Sequence, residues 1–139
     1  MNSVEIRNDL LTDRVRKFTP KKVNHKIDEQ TSERVTQLEK MSPNAIQKRL
    51  GDLDREWDID RVLMLNFGIL VSAQLFAARK NKKWLWGPLI QTPFMIMHAT
   101  LGWCPPSLWF RPMGIRTKYE IRAEREALLA ALGNKRAIS

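Results

Sequence analysis

The sequence predicts an all-α protein: a membrane-embedded two-helix hairpin with flanking amphipathic helices, behind an N-terminal region that is disordered or extended. Charge segregation is the first reason. Residues 62–110 hold four basic side chains (Arg79, Lys80, Lys82 and Lys83) and no acidic one, whereas residues 1–61 hold 13 basic and 12 acidic. The second is that those four cations divide two uncharged runs, 17 residues at 62–78 and 27 at 84–110. The third is that Trp57, Trp84, Trp86, Trp103 and Trp109 fall at the ends of these runs, where amphipathic rings settle at a membrane interface. With 139 residues there is room for one domain.

Residues 1–41 form a polar extension, partly helical. Mixed charge and Pro20 argue for extended or disordered chain over residues 1–30, with a short helix around residues 4–15. In "TSERVTQLEKM", Val35, Leu38 and Met41 recur at three-residue spacing, which predicts a short amphipathic helix. "SPNAIQKRL" opens another, with Ser42 at the N-cap, Pro43 in the first turn and Ala45, Ile46, Leu50 and Leu53 on its apolar side; Gly51 can interrupt it. Asp58 or Asp60 then caps the helix entering the first uncharged run.

That run sits at the short limit for a span, because about 20 apolar residues cross a core of about 30 Å. Arg61 and Arg79 extend it by snorkelling. "RKNKK" is a turn too charged for hydrocarbon. In the second run, "WLWGPLIQTPFMIMHATLGW" carries Trp at both ends, and Pro88 and Pro93 delay or bend its helix. The spans fall at about residues 62–79 and 84–103. Two helices apolar on all sides need apolar cover. The flanking sequence offers only narrow stripes, so insertion outweighs burial in a soluble bundle.

Folding about Asn81 brings Gln74 near residues 88–91 and Asn66 within a turn of His98. Gly68 and Ser72 make a small-residue pair that lets backbones approach. Asn66, Gly68, Ser72, Gln74, Gln91 and His98 are therefore read as interhelical contacts rather than a transport path, since two helices enclose no pore. Beyond the hairpin, a helix at about residues 117–132 begins in a Thr117–Glu120 capping box and stops at Gly133–Asn134, before a tail at 134–139. Ile121, Leu128, Leu129 and Leu132 give it an apolar side, with Arg116, Lys118, Arg122 and Arg125 within reach of headgroups. The outer flanks of the hairpin carry nine basic residues against four in the turn, which predicts both termini in the cytoplasm.

The chemistry is sparse. One cysteine excludes an intrachain disulfide and a Cys-based zinc site, and no Gly-rich phosphate loop occurs. No catalytic, cofactor or metal site is expected. Cys104 in "GWCPPSLWF" is the one thiol; His98, six residues earlier, lies nearly two turns away, so a direct pair needs the Pro-rich exit to fold back. The net charge of +9 points to anionic headgroups rather than nucleic acid, because "RVRKFTPKK" lacks interleaved aromatic or glycine-rich readout residues. The first 30 residues show no apolar secretory segment.

"LDREWDIDRVL", a second span closing in "GWCPP", and "GIRTKYEIRAERE" resemble the YgaP-like transmembrane domain family, over roughly residues 42–133. The exit at Gly102, Cys104 and Pro105 and the Gly114 and Thr117 positions are the most specific elements. The resemblance implies a small bacterial inner-membrane protein on two helices; some members are fused to a rhodanese domain, which these residues lack. The expected function is a non-catalytic accessory, scaffold or anchoring subunit, partnered by lipid and by another protein or a second copy. Trp57, Arg61, Arg79, Trp84, Trp86, Trp103, Trp109 and Arg111 are expected at the interface. Two other readings stay open. In one, Cys104 accepts persulfide sulfur from a soluble sulfurtransferase, its thiolate favoured by Arg111. In the other, the chain is a soluble basic helical nucleic-acid-binding module.

Overall fold

A computed structural model describes residues 12–138, and among them there is no strand. The elements in order are α1 (Arg14–Phe18), α2 (Lys21–Lys40), α3 (Pro43–Arg55), α4 (Ile59–Ala78), a 3-10 turn (Lys82–Leu85), α5 (Trp86–Leu101), α6 (Ser107–Phe110) and α7 (Lys118–Ile138). They form two parts. Helices α2, α3 and α7 pack into a cap, and α4 and α5 pair as a hairpin closed by the 3-10 turn.

The N-terminal region departs from the expectation of extended or disordered chain. Residues 21–40 are one continuous helix, and α1 precedes it; the expected helix at residues 4–15 lies mostly outside the described residues. Pro20 starts α2 instead of breaking a pattern, since it occupies the N-cap. Ile27 is buried, and Val35 and Leu38 pack against the core that α3 and α7 build from Ile46, Leu53, Leu128, Ala131 and Leu132. Spacings of eight and three residues put Ile27, Val35 and Leu38 on one stripe. Tertiary burial thus holds a helix whose composition alone is indifferent.

Helix α7 starts as expected. The Thr117 amide donates to Glu120 Oε2 at 2.8 Å, and the Glu120 amide donates to Thr117 Oγ1 at 3.3 Å. It does not stop at Gly133–Asn134 but continues to Ile138. A contact of Lys135 Nζ with the Met41 carbonyl ties that last stretch to the end of α2.

Between cap and hairpin lies a network of buried charge. Arg111, 1% exposed, donates through Nη1 and Nη2 to Glu120 at 2.6 and 2.7 Å, and also to Thr19 Oγ1, Asn24 Oδ1 and the Ile115 carbonyl. Arg16 bridges Glu120 and Asp28. Around the fully buried Glu124 stand Arg34, Arg49 and Arg116, and Arg116 also holds Glu56 through two hydrogen bonds of 2.7 and 2.8 Å. Burial opposes ionisation of Glu120 and Glu124, yet hydrogen bonds from Arg111 and Arg49 lead the effects that hold both carboxyls below their ordinary value of 4.5. Arg111 and Arg116 were expected to face the membrane interface or its headgroups; both are instead enclosed in ion pairs. A guanidinium beside carboxylates gains more from two-pronged hydrogen bonds than from screened contact with water.

The hairpin has the opposite character. Asp58 caps α4 by accepting from the Arg61 amide at 2.9 Å, and the Ile59 amide donates to the Arg116 carbonyl, fixing the helix to the start of α7. Met64, Leu65, Ile69, Phe76, Leu89, Ile90 and Ile96 are all at least 49% exposed. Among the described residues one stretch, within Pro43–Ala78, is long and apolar enough to cross a membrane by length and composition, and only 6% of its 18-residue apolar window is buried. A helix at the centre of a soluble core shows the reverse.

Candidate functional site

The polar residues of the hairpin converge where it meets the cap. Asp60 stands in the first turn of α4 and His98 in the last turn of α5. The two helices run in opposite directions from their shared turn, so these positions lie side by side, and His98 Nε2 donates to Asp60 Oδ1 at 3.0 Å. His98 is 7% exposed and its Nδ1 has no hydrogen-bond partner. Lys118 Nζ approaches Asp60 Oδ2 at 4.0 Å.

The chain reverses at Gly102, whose φ of +80° ends α5 in the left-handed region. A Cβ here would fall 2.5 Å from Arg14 Cβ and 2.7 Å from the Arg14 carbonyl carbon, so only glycine admits α1 at this point. Arg14 in turn donates to the Thr100 carbonyl at 2.7 Å, satisfying one of the unpaired acceptors at the end of α5. The exit then folds back. Cys104 is 3% exposed and packed with Val15, Ile59 and Leu63. The exit therefore folds back onto the first turns of α4, which also carry Asp60, the partner of His98. Arg111, expected to favour the thiolate, is paired with Glu120.

Above this cluster Asp13 caps α1. Its Oδ1 accepts from the Val15 and Arg16 amides at 2.9 and 3.4 Å, while Oδ2, though buried, has no well-formed hydrogen bond. Burial raises the Asp13 carboxyl above its ordinary value, the nearby Thr117 hydroxyl only partly offsets this, and the like charge of Glu120 adds to it. A cavity of about 210 Å³ lies between Asp13, Asp60 and His98, with Arg14, Lys118 and Met64 also in its wall. A second cavity, of about 280 Å³ and largely apolar, separates the hairpin helices next to Cys104 and Pro105 and includes Asn66 and Gln91.

The remaining expected contacts are distributed unevenly. Gln74 lies against Gly87, where an added Cβ would meet its amide at 2.5 Å. Asn66 and Gln91 both line the apolar cavity. The Oε1 atoms of Gln74 and Gln91 are buried without a hydrogen-bond partner. Gly68 and Ser72 are exposed, and nothing lies within 4 Å of a Cβ built on Gly68, so this pair makes no close helix contact. Of the interface residues, Trp57, Trp84, Trp86 and Trp109 are exposed and Trp103 is half-buried; Arg61 stacks over Trp57 at 4.8 Å and Arg79 over Phe76 at 5.8 Å. Sequence reasoning missed Asp13 and Asp60 as members of the site. Asp60 was legible only as a cap, although it is the last carboxylate before the uncharged run.

Among the described residues no group of three or more His, Cys, Asp or Glu side chains is arranged to hold a metal ion. Compared with family models, with curated proteins and with solved structures, the chain has no match in any of the three.

Proposed function

We propose that the chain is an integral protein of the bacterial inner membrane, with no catalytic activity of its own, acting as an accessory, scaffold or anchoring subunit through its hairpin. The carrying observation is the exposure of the apolar window in α4. Matching apolar side chains stand out along α5, and exposed Trp84 and Trp86 mark the turn while Trp57 and Trp109 mark the base. The resemblance of "LDREWDIDRVL", "GWCPP" and "GIRTKYEIRAERE" to YgaP-like transmembrane domains supports the same location. Both termini are cytoplasmic on this reading, which puts the cap where soluble or membrane partners reach it.

Alkaline carbonate extraction of membranes tests insertion: retention in the pellet is expected, and release into the supernatant overturns it. The subunit role is tested by the mass of the particle in mild detergent. A fixed complex with a second protein or a second copy is expected, and a lone 16.2 kDa monomer overturns it.

A second reading is favoured by the packing of Cys104 against Ile59 and Leu63 in the first turns of α4, where Asp60 pairs with His98. Here the Cys104 thiolate attacks the terminal sulfur of a donor persulfide, the donor's S–S bond breaks, and the donor leaves as a thiolate. His98 holds the proton released by Cys104. Persulfide labelling after exposure to a persulfide donor, lost in Cys104→Ser, is the expected result; equal labelling of wild type and variant overturns it.

A further inference from the structure

Four lysines stand outside the buried network. Lys17, Lys21, Lys22 and Lys26 are exposed, and none of them forms an ion pair among the described residues. Their place is fixed by α2. Its first turns lie at the base of the hairpin, because Asn24 accepts from Arg111 at 2.8 Å and α1, which precedes it, packs on Gly102. From there α2 runs beside α7: Arg34 pairs with Glu124, and the Met41 carbonyl meets Lys135. Charge is divided along that axis. Residues 14–27 hold six basic side chains and no acidic one, whereas residues 28–39 hold four acidic and one basic. The basic end is the one beside the hairpin. Lys22 and Lys26 are one turn apart, a spacing at which like charges repel. They line a groove of about 250 Å³ against the turn that follows α6, together with Gln30, Met113 and Gly114 and without a carboxylate. Arg111 forms part of its wall, but its charge is taken up by Glu120. Met113 is 76% exposed and Phe18 48%, so the same end also presents bare apolar side chains.

We propose that the basic first turns of α2 and the turn at Met113 form a docking surface for an anionic phospholipid of the bilayer that the hairpin enters, with the headgroup phosphate between Lys22 and Lys26 and Met113 against the upper part of the acyl chains. The assignment rests on the membrane reading above. An anion between the two lysines relieves their repulsion, and a phosphate is the anion that a bilayer presents at the base of an inserted hairpin. An acidic protein partner matches the charge equally. It gives no reason, however, for the basic end of α2 to be the one beside the hairpin, or for Met113 and Phe18 to be bare there.

The test is lipid retention. Full-length protein extracted from bilayers of equal parts phosphatidylglycerol and phosphatidylethanolamine is analysed by native mass spectrometry. A lysine near an anionic surface contributes about fivefold, so the pair is expected to favour phosphatidylglycerol by about tenfold or more. The double variant Lys22→Gln, Lys26→Gln changes only exposed side chains and is expected to lose that preference. A matched control, Lys40→Gln with Lys48→Gln, removes the same charge at the other end of the cap, Lys40 lying about 27 Å further along α2 than Lys22. It is expected to keep the preference. Equal retention of the two lipids by wild type overturns the proposal, as does a preference that survives Lys22→Gln, Lys26→Gln or one that the control loses to the same extent. Binding of polyglutamate that depends on Lys22 and Lys26, by a protein without lipid preference, assigns the surface to an acidic partner and overturns the lipid. Release by carbonate refutes the membrane reading itself, whereas a pelleted protein without lipid preference refutes only this surface.

Discussion

Replacing Arg111 by Met probes the joint between cap and hairpin. Arg111 makes five hydrogen bonds, two of them to Glu120, and is 1% exposed. Removing one partner of a buried ion pair costs about 3–5 kcal/mol, because the other charge stays buried. Here the cost belongs at the lower end, about 3 kcal/mol: Glu120 keeps Arg16 at 2.5 Å and the Thr117 amide at 2.8 Å. The double variant Arg111→Met, Glu120→Gln removes the stranded charge while Gln preserves an acceptor for the capping box. Two contacting residues couple by about 0.5–3 kcal/mol, so the double variant should be at least about 1 kcal/mol more stable than the sum of the two singles. Chemical denaturation in detergent, followed by far-UV circular dichroism, gives all three free energies. A single-variant cost below about 1 kcal/mol, or strict additivity, refutes the argument that this pair is desolvated and mutually dependent.

Acidification should loosen the cap. Glu120 and Glu124 titrate below their ordinary 4.5 when folded, so the stability they contribute is present above that value and is lost as pH falls through their depressed folded values. Asp13, raised by burial, works the other way and gains stability on protonation, but it is one group against two. A pH titration of helicity that stays flat through the acid range, or one unchanged by Glu124→Gln, contradicts this. Gly102→Ala should separate α1 from the end of α5, at about 1–2 kcal/mol for the left-handed backbone alone plus the overlap with Arg14; unaltered protease resistance around residues 12–18 counts against it. Cys104→Ser should leave carbonate retention unchanged, since the thiol lies outside both helices of the hairpin; extraction of that variant into the supernatant contradicts the placement.

The hairpin was legible because its physics is one-dimensional. A run without charge, a basic turn and an Asp cap are properties of neighbouring residues, and Asp58, Asn81 and the Thr117–Glu120 box each act locally. The network that joins the parts was not legible. Arg16 meets Glu120 across 104 residues and Arg34 meets Glu124 across 90, and an Arg or Glu bound for burial looks in sequence like one bound for water. The second half of α2 was legible from Val35 and Leu38, but its first half was not: the apolar stripe there is sparse, and only α3 and α7 make it sufficient. The same holds for Asp60, whose pairing with His98 depends on how the hairpin closes.

The cap is assembled from both sides of the hairpin. Arg16, Asp28, Arg34, Arg49 and Glu56 precede it in the chain, while Arg111, Arg116, Glu120 and Glu124 follow it. During synthesis Arg16, Arg34 and Arg49 must wait for their buried partners, because neither Glu120 nor Glu124 exists until both apolar helices have been made. In a bilayer a chain that threaded only one of them would strand the two sets on opposite faces, with charges that cannot meet. On the proposed membrane reading, closure of the cap is then a record of correct threading, and an unclosed cap leaves its arginines and glutamates open to water.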